Sequence, residues 1–357
     1  MHFSLSSRIK KLGKLALSYP DFFSLFRTIN RTDRAKRTRR AILIGSPVHC
    51  NIGDHLIAVE CLKYVSRLGF DQVIEVPEFV YELFPSFLKI RSDDLVFING
   101  GGWMGEDYED ELVIEDIIRR FPENHIIILP QTIHVSEDNA ACIRRMSRAL
   151  NRSDRIIVTL RESNSYRIAK ELLNVPEQRL FLLPDMGLLR KPGRKEGAGL
   201  NAAIFSVRDD VEKTDDDGID RMRDYFNQRA VRVSDSSTVI HTKYISFKGR
   251  ERVIEEKIDE FSRADVVVTD RLHTMILALI AGSKCIAFDN ATHKVSGVAR
   301  QWLGDCPQLC LCTEPGIDPD AVRSFLEKAN VPYAPDFIAE FEPLTSYVRS
   351  IIHGNPE

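Results

Sequence analysis

The chain has 357 residues, 43% hydrophobic and 28% charged, with a net charge of −3. At roughly 100–200 residues per domain this length calls for two domains, and the composition excludes a disordered, collagen-like or disulfide-scaffold chain. No run approaches the ~18 apolar residues of a membrane-spanning helix, and seven cysteines (50, 61, 142, 285, 306, 310 and 312), odd in number and mostly in apolar segments, point to reduced thiols in a cytoplasmic protein.

Residues 1–40 hold eleven Lys and Arg against Asp21 and Asp33, a net +9 that leaves −12 on the remainder. Apolar positions such as Leu5, Ile9, Leu12, Leu15, Phe22 and Phe26 include helical spacings, with Arg8, Lys10, Lys11 and Lys14 interleaved. Two readings fit this basic amphipathic arm: a helix lying on an anionic membrane surface at the inner face of the cytoplasmic membrane, or a helix packed on the protein itself. In the second reading the helix ends in a solvated basic linker over 31–40. The arm lacks the continuous apolar core and cleavage site of a secretory signal, and the acidic remainder argues against nucleic acid as a partner.

From residue 41 the pattern is α/β. Short β-branched runs at 41–45, 73–76, 95–99, 126–129, 156–160 and 180–183 alternate with helical segments at 57–68, 112–121, 139–150 and 163–174. Such runs read as buried parallel strands joined by right-handed crossovers. A Gly-rich, charged stretch at 190–199 is the linker, and the scheme repeats with strands at 202–207, 239–241, 266–269 and 285–288 and helices at 222–229, 250–262 and 273–281. The expected organisation is an arm over 1–40, a Rossmann-like domain over 41–190 and a second over 200–357 that carries a C-terminal helical tail, the two domains facing a cleft.

In open parallel sheets ligands bind beyond the carboxyl ends of the strands. The first strand runs into Asn51, Ile52, Gly53 and Asp54, where Asn51 and Asp54 can cap a helix and Gly53 permits close backbone approach; an exposed helix N-terminus there favours an anion or a sugar hydroxyl. After the third strand come Asn99, Gly100, Gly101, Gly102 and Trp103. Three glycines behind a buried strand lose backbone entropy on folding, so their use is to admit a ligand or another backbone. This is neither the Gly-x-Gly-x-x-Gly fingerprint nor a nucleoside-triphosphate loop. Further strand ends deliver Gln131 and His134, Arg161, and Asp185 to the same edge. In the second half Asp270, Arg271, Leu272 and His273 follow a clear strand; Arg offers a planar fork for carboxylate or phosphate, and His can donate or shuttle a proton. The cysteines at 306, 310 and 312 lack the spacing of a zinc site, and no metal is expected.

Taken together these motifs resemble the polysaccharide pyruvyl transferase family. The resemblance rests on Asn51 to Asp54, Asn99 to Gly102, Pro130 and Gln131, Arg161 to Ser163, Pro184 and Asp185, Asp270 to His273, and Asp289 and Asn290 with Lys294 to Gly297 and Trp302. It implies two Rossmann-like domains arranged as in GT-B glycosyltransferases. It also implies phosphoenolpyruvate as donor, no cofactor beyond that co-substrate, and a sugar of an exopolysaccharide, capsule or cell-wall precursor, plausibly lipid-linked, as acceptor. Many relatives have Gly-Gln-Gly where this chain has Pro130, Gln131, Thr132, Ile133 and His134, so the acceptor pocket stays unassigned.

The resemblance carries the donor contact onto Arg271, Leu272 and His273. Phosphoenolpyruvate bears a phosphate and a carboxylate, for which Arg271, Arg208 and Arg161 are the candidate cations. Ketal formation on a sugar diol needs an acid and a base: His273 is the expected acid or phosphate donor, and Asp54 the base, a sugar orienter or simply a helix cap. Asn51, Gly53, Gly100, Gly101, Gly102, Gln131, His134, Asp185 and Asn290 are the expected cleft or acceptor residues. A nucleotide-sugar glycosyltransferase and a non-catalytic glycan-binding protein of an assembly complex stay open as alternatives.

Overall fold

The computed structural model describes residues 38–106, 111–192, 202–208, 217–242, 244–313, 319–328, 330, 331, 333 and 335–354, with 24 and 27. The basic arm lies outside them, apart from those two positions and its last three residues. Among the described residues no helix is long and apolar enough to cross a membrane.

Two all-parallel sheets are present. The first contains β1 (Arg40–Ser46), β2 (Gln72–Pro77), β3 (Leu95–Ile98), β4 (Gly101–Gly105), β5 (Ile126–His134), β6 (Ile156–Leu160) and β7 (Leu180–Leu182), ordered β2-β1-β3-β5-β6-β7 with β4 beside β5. The second contains β8 (Ala202–Ser206), β9 (Arg232–Asp235), β10 (Val266–Thr269), β11 (Lys284–Phe288) and β12 (Leu309–Cys312), ordered β12-β11-β10-β8-β9. In each, the first strand is flanked by the second on one side and the third on the other. That reversal opens a crevice at the carboxyl ends of β1 and β3, and of β8 and β10, where a doubly wound sheet binds its ligand. These are the two Rossmann-like domains that the resemblance implies, facing one another across a cleft.

Helix α1 (Ile52–Ser66) joins the domains. It is apolar nearly all round because both sides are buried. Ile57, Cys61, Tyr64 and Val65 pack on the first sheet with Ala41, Leu43 and Phe97. Ile52, Leu56 and Val59 pack into the second domain beside Leu272, Met275 and Ile276. These last belong to α8 (Leu272–Ile280), which follows α2 (Glu78–Leu83), α3 (Glu111–Arg120), α4 (Ala140–Leu150), α5 (Ser163–Arg167), α6 (Gly218–Asn227) and α7 (Arg250–Ser262). The remaining helices are α9 (Lys294–Trp302), α10 (Pro319–Glu327) and α11 (Glu342–His353).

The structure departs from the sequence reading at several points. Arg40 is no solvated linker residue: it opens β1, buried, with its Nε donating 2.8 Å to Asp94 Oδ1. The strand at 126–129 continues to His134, because the chain after β3 breaks at Asn99 and Gly100 and resumes as β4, giving β5 a partner for its second half. The segment 239–241 forms no sheet strand; β9 lies at Arg232–Asp235 instead. This stretch is spent on the other domain, where Thr238 O accepts from Ile52 N at 2.8 Å, Ile240 N donates to Cys50 O at 3.0 Å and Ile245 N to Val48 O at 2.9 Å. The helix at 163–174 is α5 followed by a wider π-turn over Ile168–Leu172. The C-terminal tail divides: Val322 and Phe325 of α10 stay in the second domain's core, whereas Phe341, Leu344 and Val348 are buried in the first sheet's core, and Tyr64 and Thr345 bond through their hydroxyls at 3.1 Å. The apolar stripe of α11 finds its cover there.

Candidate active site

A cavity of about 290 Å³ lies where the two crevices meet. Its second-domain wall is built at the ends of β8, β10 and β11. Thr269 Oγ1 donates to Ser206 O at 2.6 Å and accepts from Arg271 N at 3.0 Å, and Asp270 Oδ1 accepts from Arg208 N at 2.8 Å. These bonds stitch the loop after β10 to the loop after β8 and bring Arg208, Arg271, Leu272 and His273 onto the cavity, with Lys294 from the start of α9. Burial raises the Asp270 carboxyl above its ordinary range against the pull of the Arg208 amide and the two guanidiniums. Arg271 is the extended N-cap of α8, so the positive end of that helix adds to a wall that favours anions.

The first-domain wall carries Asn51, Asp54, His49, Glu78, Asn99, Gly100, Gly101, Gly102, Trp103 and Arg161. Asn51 caps α1, its Oδ1 accepting from Gly53 N at 3.1 Å. Asp54, in the first turn, stands 3.6 Å from His49 Nε2 and 4.0 Å from His273 Nδ1. Gly53 touches His273 itself: a Cβ added there would fall 2.4 Å from His273 Cβ. Only glycine at 53 allows the start of α1 to meet the start of α8.

Behind the cavity Arg161 and Asp185 form a buried pair, Nη1 to Oδ2 at 2.6 Å, each about 1% exposed. Asp185 Oδ1 accepts from Gly187 N at 2.8 Å, and His273 Nε2 lies 3.5 Å from Oδ2. Burial alone would raise the Asp185 carboxyl; Arg161, His273 and the Gly187 amide outweigh it and hold it well below the carboxylate range. Arg161 Nε also donates to Thr132 Oγ1 at 2.8 Å, and Gly102 leaves room for Nη2 at the wall. The next residue, Glu162, is buried and its carboxyl is pushed up by desolvation, although Arg161, Ser165 and Thr132 oppose this. The second domain closes over this turn: Trp302 Nε1 donates to Arg161 O at 2.7 Å, and Gly297 packs on Glu162.

Asn51, Asp54, Gly100, Gly101, Gly102, Arg161, Arg208, Arg271, Leu272 and His273 thus line one cavity. Gly53 and Asp185 act one step behind it. Three expected cleft residues do not reach it. Gln131 is fully buried with Nε2 on Asn99 O at 2.7 Å, spent on the chain break after β3. His134 ends β5 opposite Gly105. Asn290 is buried, its Oδ1 accepting from Thr292 Oγ1 at 3.0 Å within its own turn. Arg161 is expected as a free cation for the donor; instead most of its charge is held by Asp185. Sequence reasoning missed Trp103, Glu78, His49 and Lys294 as wall residues, although Trp103 follows the glycine triplet and Lys294 follows a strand end.

Two doubly wound domains with an anion-favouring wall facing a carboxylate across a shared cavity define a two-domain α/β protein whose cleft is built for an anionic ligand. The model of the polysaccharide pyruvyl transferase family matches residues 51–292, more than half of the chain, and the chain belongs to that family. General stress protein 30 of Bacillus subtilis is 29% identical over 277 residues, 74% of this chain and 78% of the relative. Pyruvyl transferase 1 of Schizosaccharomyces pombe is 27% identical over 286 residues, 75% of this chain and 71% of the relative. A crystal structure of an uncharacterized protein from Klebsiella pneumoniae shares the fold, with a TM-score of 0.55 at 19% identity over 84% of this chain and 98% of that one. The chain is a transferase that moves a pyruvyl group onto polysaccharide.

Proposed function

We propose that the donor is phosphoenolpyruvate and that the product is a cyclic pyruvate ketal on a sugar diol of a surface-polysaccharide precursor, with inorganic phosphate released. The observation that carries this reading is the convergence of Arg208 and Arg271, from the adjoining ends of β8 and β10, beside His273 and opposite Asp54. A donor with a phosphate and a carboxylate fits the cationic wall and the N-terminus of α8. His273 delivers a proton to the methylene carbon while one sugar hydroxyl attacks the neighbouring carbon and gives its proton to Asp54. The C–O bond to phosphate then breaks, phosphate leaves with the bonding pair, and the second hydroxyl captures the cation and releases its proton. One proton is gained by carbon, two are lost by hydroxyls, and the surplus leaves with phosphate or solvent.

Arg271→Ala removes a charge-assisted contact worth roughly 1.5–3 kcal/mol, so the phosphoenolpyruvate requirement should rise about ten- to a hundredfold in a folded protein. Unchanged donor kinetics would remove Arg271, and with it this donor assignment, from the site.

A further inference from the structure

Trp103 is one of two tryptophans in the chain, it is only partly buried, and it lines the cavity on the first-domain side. Its indole is held at both ends. A Cβ added at Gly45 would lie 2.8 Å from Cη2 of the benzo edge, and one added at Gly101 would lie 3.0 Å from Cδ1 of the pyrrole edge. Both glycines have positive φ, 98° and 144°, so side chains are disfavoured there twice over, by strain and by collision with the ring. The Nε1–H donates to Asn99 O at 3.2 Å, which satisfies the indole's only polar group and leaves the ring to act as an apolar surface.

A large flat ring fixed in this way and left facing a polar cavity suits a ligand with an apolar flank and a polar edge. The charges around it choose between ligand classes. Arg208, Arg271 and Lys294 stand on the second-domain wall, whereas Trp103 shares its own wall with Asp54 and Glu78, and the guanidinium on that wall, Arg161, is paired with Asp185. Carboxylates repel an anionic ligand but accept hydrogen bonds from hydroxyls. We infer that Trp103 is the stacking platform of the acceptor subsite and takes a neutral hexopyranose by its C–H face, with Asp54 and Glu78 receiving hydroxyls at the ring's edge. The inference rests on the donor assignment above only in leaving this wall to the acceptor. It supplies the acceptor pocket that Gln131 and His134, spent on β5, do not form.

Saturation-transfer NMR with the methyl glycosides of glucose, galactose and mannose, without phosphoenolpyruvate, tests it. Wild type and Arg271→Ala should both bind at least one glycoside, with transfer strongest on the C–H protons of one sugar face. Trp103→Phe should bind more weakly, and Trp103→Ala at least about tenfold more weakly, at an unfolding temperature close to wild type. Should Trp103→Ala fail to fold, the indole N–H resonance lost in Trp103→Phe must shift when wild type is titrated with the binding glycoside. Equal binding by wild type and Trp103→Ala, no binding of any glycoside, or an indole resonance that moves with uridine diphosphate instead would overturn the inference. Unchanged phosphoenolpyruvate kinetics in Arg271→Ala with sugar binding intact would sink the donor assignment alone.

Discussion

Asp185 Oδ2, at the end of β7 in the first domain, stands 3.5 Å from His273 Nε2, at the start of α8 in the second. Because Arg161 and the Gly187 amide fix the same carboxylate, the imidazole meets a rigid anion whose position is set by the other domain. Its opposite nitrogen is thereby turned to Asp54 and the cavity. Domain contact and orientation of the His273 imidazole are one feature.

Asp185→Asn should therefore lower turnover by roughly a hundredfold while changing the phosphoenolpyruvate requirement much less. The same change weakens a buried ion pair, and loss of such a partner costs up to about 3–5 kcal/mol, so kinetics are read at a temperature where circular dichroism shows the variant folded. A parallel loss of donor affinity and turnover would mean that Asp185 acts only on stability.

Gly53→Ala places a methyl group where His273 Cβ already lies, at 2.4 Å. One methyl at the first turn of a helix is tolerated locally, so the damage falls on the separation of α1 and α8. Turnover should fall at least about tenfold with a modest drop in unfolding temperature, since small misplacements at a reacting centre are costly. Wild-type turnover in Gly53→Ala would show that the approach of α1 to His273 is not needed.

Much of this was legible in the sequence. Buried β-branched runs with helices between them give parallel sheets, and residues after those strands fall at the crevice by topology alone, which is why Arg271, His273, Arg208 and Asp54 could be found. What the sequence hid were relations between domains. Val239 and Ile240 read as a strand because they are apolar and β-branched, yet Ile240 N bonds Cys50 O, flanked by the bonds of Thr238 to Ile52 and Ile245 to Val48, across the interface. Gln131 reads as following a strand but lies within the longer β5, and Asp185 follows β7 as the wall residues follow their strands yet sits one step behind the cavity. Both parts of the helical tail read as belonging to the nearest domain in sequence; α10 does, while the apolar stripe of α11 fits the uncovered face of the first.

Acid should weaken the fold through His55. Its Nε2 lies 2.7 Å from His49 O, so it carries the proton, and Nδ1 is buried without a partner among the described residues. Protonating Nδ1 would bury a charge, and burial pulls the imidazole from 6.5 down to about 4 despite the favourable carbonyl. Above pH 6.5 neither state takes the proton and the stability is complete. Between 6.5 and 4 only the unfolded chain does, so stability falls by about 3 kcal/mol and levels off below. Urea titrations across this range should show that loss in wild type and not in His55→Gln; equal slopes would refute it.

Residues 1–38 carry nine Lys and Arg against two Asp. If the acceptor is lipid-linked, their removal should reduce co-sedimentation with anionic vesicles and activity on a lipid-linked glycan, and spare activity on a short soluble one, since each Lys or Arg near such a surface is worth up to about 1 kcal/mol. Absence of vesicle binding by the full chain at low salt would contradict a membrane role.

The central claim is that pyruvyl is taken from phosphoenolpyruvate at the wall formed by Arg208, Arg271 and His273. The most direct measurement incubates the full chain with phosphoenolpyruvate and a panel of lipid-linked and soluble glycans, following inorganic phosphate and the mass of the glycan together. The account predicts one phosphate released per pyruvate ketal added, with both signals lost in His273→Ala. Release of a nucleoside diphosphate from a nucleotide sugar, with no phosphate and no added pyruvate from phosphoenolpyruvate, would contradict it.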